Sequence, residues 1–172
     1  HYNSLAHRTT WLRSDLNDSI VFDIGSGTGS VTVECGLNSK FGMVYGFEKN
    51  TEAVELTKLN LKKFGVHNSY VFEGDALTNI KNTDIIPTRV FIGGTGGDMY
   101  EILDVLYKKC ENLKVVINCI AIESVYEAIK GLEISGYKNI ECVSVSVSRN
   151  KKAGSKNMMI AQNNVYIISG EK

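Results

Sequence analysis

Short apolar runs alternate along the chain with amphipathic segments, and this alternation limits the fold more than any other feature of the sequence. Within each run the apolar residues are contiguous, which is typical of strands that are buried on both faces. Parallel strands need long crossover connections, and helices usually supply them. The pattern therefore predicts an α/β fold with a mostly parallel sheet between two layers of helices. The five predicted strands are residues 20–24, 43–47, 70–73, 89–92 and 114–118.

Helices are predicted after four of these five strands. The clearest covers residues 98–111, where apolar side chains recur every three or four positions along one face. Two more cover residues 51–64 and 122–135, and a glycine follows each of them. The residues after Gly29 favour a strand locally because they include two valines. A crossover must follow the first strand, however, so we expect the tertiary context to impose a helix there.

The end of the chain predicts two strands of a different kind. Residues 142–148 alternate valine with serine, as an edge strand does, whereas residues 165–168 are continuously apolar. Because no helix separates the two, the last strand is expected to insert antiparallel between the fifth and the sixth. The resulting seven-stranded order is 3-2-1-4-5-7-6. The length of 172 residues predicts a single domain, 1–172, with a polar lead-in over residues 1–19.

Composition excludes several classes of protein. The chain has 19 basic and 19 acidic residues, so no global field attracts nucleic acid or an anionic membrane. No run approaches the roughly 18 apolar residues of a membrane span, and the start is too polar for a signal peptide, so we expect a cytoplasmic protein. The four cysteines and three histidines lack the spacing of a metal site or a disulfide framework. We interpret all four cysteines as reduced packing residues.

A glycine-rich turn after the first strand is the strongest chemical signal. From Asp23 it reads Asp-Ile-Gly-Ser-Gly-Thr-Gly-Ser, and glycines at such a turn let the backbone approach a ligand closely. Acidic residues end the next two strands, where Glu48 suits ribose hydroxyls and Asp75 suits an adenine amino group. A plain turn and solvated carboxylates are the alternative interpretation. The predicted cofactor-binding residues are Asp23, Gly25, Ser26, Gly27, Thr28, Gly29, Glu48, Lys49, Asp75 and Ala76.

Asp23 distinguishes between the nucleotide-like ligands that such a turn could bind. We expect its side chain to face the ligand, where it would repel a diphosphate and attract the ammonium and sulfonium groups of S-adenosylmethionine. Ser30 stands where a dinucleotide-binding turn has its third glycine, and no P-loop lysine follows the turn. We therefore expect S-adenosylmethionine as the cofactor and the class I fold of the methyltransferases that use it.

The substrate side is predicted from the end of the fourth strand. Residues 91–97 read Phe-Ile-Gly-Gly-Thr-Gly-Gly, and such a bare backbone floor suits a flat, bulky acceptor, although a plain turn is the alternative. Residues 149–156 place four cations on a predicted loop, which is either solvated or a clamp for carboxylates or phosphates. No side chain is assigned to the chemical step. The predicted substrate-binding residues are Gly93, Gly94, Thr95, Gly96, Asn118, Arg149 and Lys152.

Four segments, residues 23–34, 91–97, 116–123 and 163–170, together carry a family resemblance. From about residue 20 to residue 170 the chain resembles the cobalt-precorrin decarboxylating methyltransferases of cobalamin biosynthesis. The resemblance implies methylation of a corrinoid precursor at carbon 15, with loss of carbon dioxide from the acetate side chain of ring C. It also implies a homotetramer and a carbon-5 methyltransferase as partner.

Two departures and two rival functions accompany this resemblance. Asn163-Asn164 stands where the family usually has Asn-Pro, and the lead-in is shorter than the family's usual amino-terminal segment, which suggests a truncated start. An RNA methyltransferase of the same fold would need a basic face and salt-dependent RNA binding, which the neutral composition does not favour. A non-catalytic oligomeric protein of this fold would bind the cofactor without turnover.

Overall fold

A seven-stranded sheet organises the part of the chain that the computed structural model describes, residues 16–172. Residues 1–15 of the predicted polar lead-in lie outside the described residues. The strands are β1 (Ile20–Ile24), β2 (Met43–Glu48), β3 (Ser69–Glu73), β4 (Arg89–Ile92), β5 (Lys114–Cys119), β6 (Lys138–Val145), β7 (Ser148–Ala153), β8 (Lys156–Ala161) and β9 (Val165–Glu171). The sheet order is β3-β2-β1-β4-β5-β9-β6, in which β1 to β5 are parallel and β9 is antiparallel to both of its neighbours. The predicted order is therefore confirmed, with β9 in the place of the last strand.

Helices connect all the parallel strands, so the prediction of helices after only four of them is wrong. The helices are α1 (Ser30–Asn38), α2 (Thr51–Lys63), α3 (Ala76–Asn82), α4 (Met99–Lys109) and α5 (Ile122–Ser135). The missing prediction was α3, which has seven residues and buries only Ile80 fully, so it carries no amphipathic period. The predicted helix after Gly29 is confirmed as α1. Its valines, Val31 and Val33, are buried, and this burial outweighs their preference for a strand.

The core has a layer on each face of the sheet. One cluster packs Ile102, Leu103 and Leu106 of α4 and Ala128 of α5 against β1, β4 and β5. A second cluster packs Val31 and Cys35 of α1 on the opposite face, and a smaller one joins α1 to α2. This double covering explains why the strand residues are contiguous apolar runs. Within residues 16–172, no helix combines the length and the apolar character that a membrane crossing requires.

Residues 148–161 form a β-hairpin, so the prediction of a loop between the last two sheet strands is wrong. Strands β7 and β8 pair antiparallel from Ser148 with Ala161 to Ala153 with Lys156, and every residue of both strands is exposed. The sequence hides the pairing because β7 is polar and cationic and the apolar residues of β8 are contiguous, so neither strand shows an apolar alternation. The hairpin follows β6, which runs parallel to β5 because β9 is antiparallel to both. It therefore projects from the carboxyl edge of the sheet.

The cysteine prediction needs one correction. Cys35, Cys110 and Cys119 are buried, as expected of packing residues, but Cys142 on the edge strand β6 is exposed. None of the four, all of which lie within residues 16–172, takes part in a disulfide. An edge strand has one neighbour only, and this leaves the Cys142 side chain partly uncovered.

Candidate active site

The glycine turn after β1 is held against β2 and β4. The amides of Gly25 and Ser26 both donate to the carbonyl of Phe47, at 2.9 and 3.1 Å. Gly25 has a φ of 69°, and a Cβ built on it would lie 2.5 Å from the carbonyl oxygen of Gly94. Glycine is therefore required at position 25 both by its backbone conformation and by the close approach of the chain after β4.

Glu48, at the end of β2, is held by two backbone donors. Its Oε2 accepts from the amide of Gly27 at 2.8 Å and its Oε1 accepts from the amide of Asn50 at 2.9 Å. An ionised carboxylate has about four acceptor positions, so each oxygen keeps a lone pair for a further donor. These bonds fix the orientation of the carboxylate before any ligand arrives.

Asp75 and Lys49 lie on the same side of the turn. Asp75 caps α3, and its Oδ1 accepts from the amide and the hydroxyl of Thr78 at 2.8 and 2.6 Å. These bonds, with the charge of Lys49 as a smaller cause, hold the pKa of Asp75 below its ordinary value. The ammonium of Lys49 reaches across to the loop after β4, where a Cβ on Gly96 would lie 3.3 Å from Nζ.

These groups surround a cavity of about 360 Å³, which we call the first cavity. Its volume falls within the range of roughly 300–1,000 Å³ that is usual for small-molecule sites. Of the predicted cofactor residues, Gly25, Glu48, Lys49, Asp75 and Ala76 line it, while Ser26 to Gly29 do not. Three further lining residues, Phe47, Gly74 and Asp98, were not predicted from the sequence. Among the described residues, the complete lining is Gly25, Phe47, Glu48, Lys49, Gly74, Asp75, Ala76, Gly94, Thr95, Gly96 and Asp98.

Asp23 does not face this cavity, and the expected orientation of its side chain is wrong. Asp23 is 1% exposed, and its Oδ2 accepts from the hydroxyl of Thr32 on α1 at 2.5 Å. Its Oδ1 is buried without a hydrogen-bond partner. Burial raises the pKa of Asp23 from 3.8 to about 6, against the lowering effect of the Thr32 bonds. Asp23 therefore lies behind the turn and does not line the first cavity.

A second cavity, of about 280 Å³, adjoins the first. Gly94 and Thr95 line both cavities, so a ligand in one meets a ligand in the other across these residues. The predicted substrate residues Gly93 and Asn118 line it as well, whereas Gly96 lines only the first cavity. Asn118 has a buried Oδ1 without a hydrogen-bond partner, and this oxygen is available to accept from a ligand. The residues that sequence reasoning missed are Ile92, Met99, Cys119, Ile120, Ala121, Ser124 and Glu127.

The predicted cations Arg149 and Lys152 line neither cavity. Both lie on β7, within the exposed hairpin that projects from the same edge of the sheet. The structure thus places the predicted residues at the strand ends around the two cavities, whereas Arg149 and Lys152 lie apart from them on the hairpin.

Comparison with known proteins identifies the family. The model of the precorrin methyltransferase domain family matches residues 10–172. The chain belongs to the precorrin methyltransferase family. This result confirms the resemblance that the four sequence segments carry.

Three relatives of this precorrin methyltransferase domain have names that refer to precorrin chemistry. A probable cobalt-precorrin-6B C(15)-methyltransferase (decarboxylating) of Sulfurisphaera tokodaii is 41% identical over 152 residues, which cover 87% of this chain and 78% of that protein. The crystal structure of precorrin-6y C5,15-methyltransferase from Geobacter metallireducens superimposes with a TM-score of 0.90 at 30% identity, covering 99% of this chain and 89% of that one. The precorrin 8W decarboxylase of Methanobacterium thermoautotrophicum superimposes with a TM-score of 0.81 at 27% identity, covering 90% and 82%.

The two cavities of the precorrin methyltransferase domain suit a group transfer between two ligands. The first cavity offers fixed carboxylates and backbone, and the second combines apolar side chains with the polar side chains of Thr95, Asn118, Ser124 and Glu127. Their shared wall at Gly94 has no side chain, and nothing lies within 4 Å of a Cβ built on it. Two bound molecules can therefore approach each other closely at this point, which is what methyl transfer requires.

Proposed function

We propose that this protein transfers a methyl group from S-adenosylmethionine to carbon 15 of cobalt-precorrin-6B and removes the acetate carboxylate of ring C as carbon dioxide, in cobalamin biosynthesis. The name of the Sulfurisphaera tokodaii relative supports this reaction. The observation that carries the proposal is the pair of cavities that share Gly94 and Thr95 at the carboxyl edge of the sheet. We treat residues 1–172 as one methyltransferase domain because the family match covers 10–172.

The charges around the first cavity favour S-adenosylmethionine over a dinucleotide. Three carboxylates, those of Glu48, Asp75 and Asp98, line it with the single ammonium of Lys49. A diphosphate would meet net repulsion there, whereas a sulfonium and an ammonium would be attracted. When bound, S-adenosylmethionine supplies an electrophilic methyl group. Glu48 would accept hydrogen bonds from the ribose hydroxyls with its remaining lone pairs. Asp75 and Ala76 would bind the adenine, with the Asp75 carboxylate accepting from its amino group.

The remaining predicted cofactor residues act around this cavity. Gly25 would present its backbone to the cofactor, and Lys49 would close the cavity opposite Gly96. The residues from Ser26 to Gly29 would support the site from outside the cavity, since the Gly27 amide holds the Glu48 carboxylate. Asp23 would hold α1 behind the turn through its bond to the Thr32 hydroxyl, without contacting the cofactor. On the substrate side, Gly93, Gly94, Thr95, Gly96 and Asn118 would contact the edge of the corrinoid.

The hairpin would hold the substrate carboxylates that project beyond the cavities. It carries Arg149, Lys151, Lys152 and Lys156 and has no acidic residue from 148 to 161. A corrinoid precursor bears many carboxylates, and this local positive charge suits them in an otherwise neutral chain. Because the hairpin starts from the carboxyl edge, it lies on the side where the corrinoid would enter.

The hairpin also supports a homo-oligomer, and we propose a homotetramer. An isolated two-stranded hairpin is marginally stable in water, yet this one is fully exposed and carries Met158 and Met159 at 54% and 66% exposure. A second copy of the chain would cover these apolar side chains. The name of the Geobacter metallireducens relative includes carbon 5 as well as carbon 15, which supports a carbon-5 methyltransferase as partner. Four cysteines without a disulfide fit a reducing compartment, and we propose the cytoplasm.

Calorimetric titration tests the cofactor. S-adenosylmethionine and S-adenosylhomocysteine should bind with a stoichiometry of one per chain, and NAD should not bind. Binding of NAD in their place would overturn the assignment. Salt-dependent binding of tRNA in a gel shift, with no corrinoid binding, would favour the RNA methyltransferase instead.

Double substitution of the hairpin tests the substrate assignment. Arg149→Ala with Lys152→Ala should weaken corrinoid binding and leave the S-adenosylmethionine Kd unchanged. The matched control is Lys62→Ala with Lys63→Ala, which removes two exposed cations from the last turn of α2. Equal loss of both ligands in the hairpin variant, or equal loss of corrinoid binding in the control, would contradict the assigned role.

A further inference from the structure

The second cavity has an unusual charge for a site that faces a polycarboxylate. Among its described lining residues, Glu127 of α5 is the one charged side chain, and no cation accompanies it. Cys119 beside it stays a neutral thiol, because burial, with the Glu127 charge as a smaller cause, raises its pKa to about 11. The apolar part of the lining is Ile92, Met99, Cys119, Ile120 and Ala121.

The volume of this cavity limits what can enter it. At about 280 Å³ it lies below the roughly 300–1,000 Å³ of sites that enclose a drug-sized molecule. It can take a side chain and the edge of one ring, while the rest of a macrocycle lies over the rim. Because it meets the first cavity at Gly94 and Thr95, the ring edge that enters it is the one next to the transferred methyl group.

We propose that the second cavity is the decarboxylation subsite, in which Glu127 and the apolar wall destabilise the ring C acetate carboxylate of the substrate. This inference rests on the proposed function, since it assumes a corrinoid that loses carbon dioxide. A carboxylate placed near a like charge and taken out of water is raised in free energy, whereas neutral carbon dioxide is not. The difference lowers the barrier to loss of carbon dioxide.

The chemical balance needs no further reactant. The bond between the acetate methylene carbon and the carboxylate carbon breaks, and carbon dioxide leaves as a neutral molecule. The electron pair of that bond passes into the conjugated macrocycle, and the new bond from carbon 15 to the methyl group uses it. One negative carboxylate and one positive sulfonium disappear together, so no oxidant, reductant or added proton is required.

The test compares Glu127→Gln with Glu123→Gln, which lies one turn earlier on α5, is exposed and lines neither cavity. Removal of the like charge should lower kcat for carbon dioxide release about ten-fold, the lower end of ground-state destabilisation, and should lower KM as well. The same variant should bind cobalt-precorrin-6B more tightly than wild type when S-adenosylmethionine is absent. A residue with a purely structural role would not tighten that binding.

Glu127→Lys provides a second test, because it places a positive charge in the second cavity where wild type has a negative one. It should bind cobalt-precorrin-6B more tightly still and release less carbon dioxide than Glu127→Gln, while the S-adenosylmethionine Kd stays within about two-fold of wild type. Unchanged kcat in Glu127→Gln, or a raised KM in either variant, would overturn the proposal. Failure of the wild-type protein to methylate and decarboxylate cobalt-precorrin-6B would overturn the proposed function instead, so the two failures are distinguishable.

Discussion

Replacing Gly25 with alanine tests the close approach of two chain segments on which both cavities depend. The substitution first adds the cost of a left-handed residue, about 1–2 kcal/mol, because φ is 69°. It then places a Cβ 2.5 Å from the carbonyl oxygen and 2.8 Å from the amide nitrogen of Gly94. These are backbone atoms that cannot rotate away, and such overpacking costs about 1–3 kcal/mol. The free energy of unfolding should therefore fall by about 2–5 kcal/mol.

The matched control is Gly65→Ala, after the end of α2. Gly65 has a φ of 67°, and nothing lies within 4 Å of a Cβ built on it. This variant should lose only the backbone contribution, about 1–2 kcal/mol. Urea denaturation measures both losses, and calorimetric titration measures the S-adenosylmethionine Kd, which should rise at least about ten-fold for Gly25→Ala alone.

The reasoning fails if the two alanine variants lose equal stability and both retain wild-type affinity for S-adenosylmethionine. That result would mean that the segments at Gly25 and Gly94 separate without cost. If Gly25→Ala loses more stability than Gly65→Ala but less than predicted, the shortfall would measure how far the loop after β4 moves to accommodate the Cβ.

Three further predictions concern the carboxylates. Burial raises the pKa of Asp23 from 3.8 to about 6, so the folded state binds the proton more tightly than the unfolded state, and this contribution to stability is lost as pH rises from about 4 through about 6. In urea titrations, the free energy of unfolding of Asp23→Asn should therefore exceed that of wild type by up to ~3 kcal/mol near pH 7.5. Near pH 4 the two proteins should be equally stable. Thr32→Val removes the hydroxyl donor to Asp23 and should destabilise by about 1–3 kcal/mol near pH 7.5, with Thr32→Ser restoring most of the loss in the same titrations. Glu48→Gln places an amide group against the donors of Gly27 and Asn50 and should weaken S-adenosylmethionine binding about ten-fold in calorimetry, and an unchanged Kd would remove Glu48 from the site.

Most of the sheet could be predicted because its signals are local. Buried parallel strands are contiguous apolar runs, and a glycine turn ends the first of them, so the order of the sheet and the place of the site follow from the chain. The helix α3 could not be predicted because seven residues with one fully buried side chain show no periodicity. The hairpin could not be predicted because its pairing is set across the turn near Gly154 rather than by alternation within β7 or β8.

The candidate site was predictable at the strand ends and not beyond them. Gly25, Glu48 and Asp75 follow directly from the position of each strand end. The direction of Asp23 depends on Thr32, nine residues later on α1, whose hydroxyl turns the carboxylate behind the turn. Ser124 and Glu127 are ordinary helical positions in the sequence. They line the second cavity because α5 begins three residues after the end of β5, and the end of β5 lies beside Gly94 in that cavity.

Counting both products of one reaction tests the central claim most directly. Cobalt-precorrin-6B is incubated with the wild-type protein and with S-adenosylmethionine labelled in its methyl group, and labelled corrinoid and carbon dioxide are measured together. The proposed function predicts equal amounts of methyl transferred and carbon dioxide released, with both rising in proportion to enzyme. Methyl transfer without carbon dioxide, or cofactor binding with neither product, would contradict it.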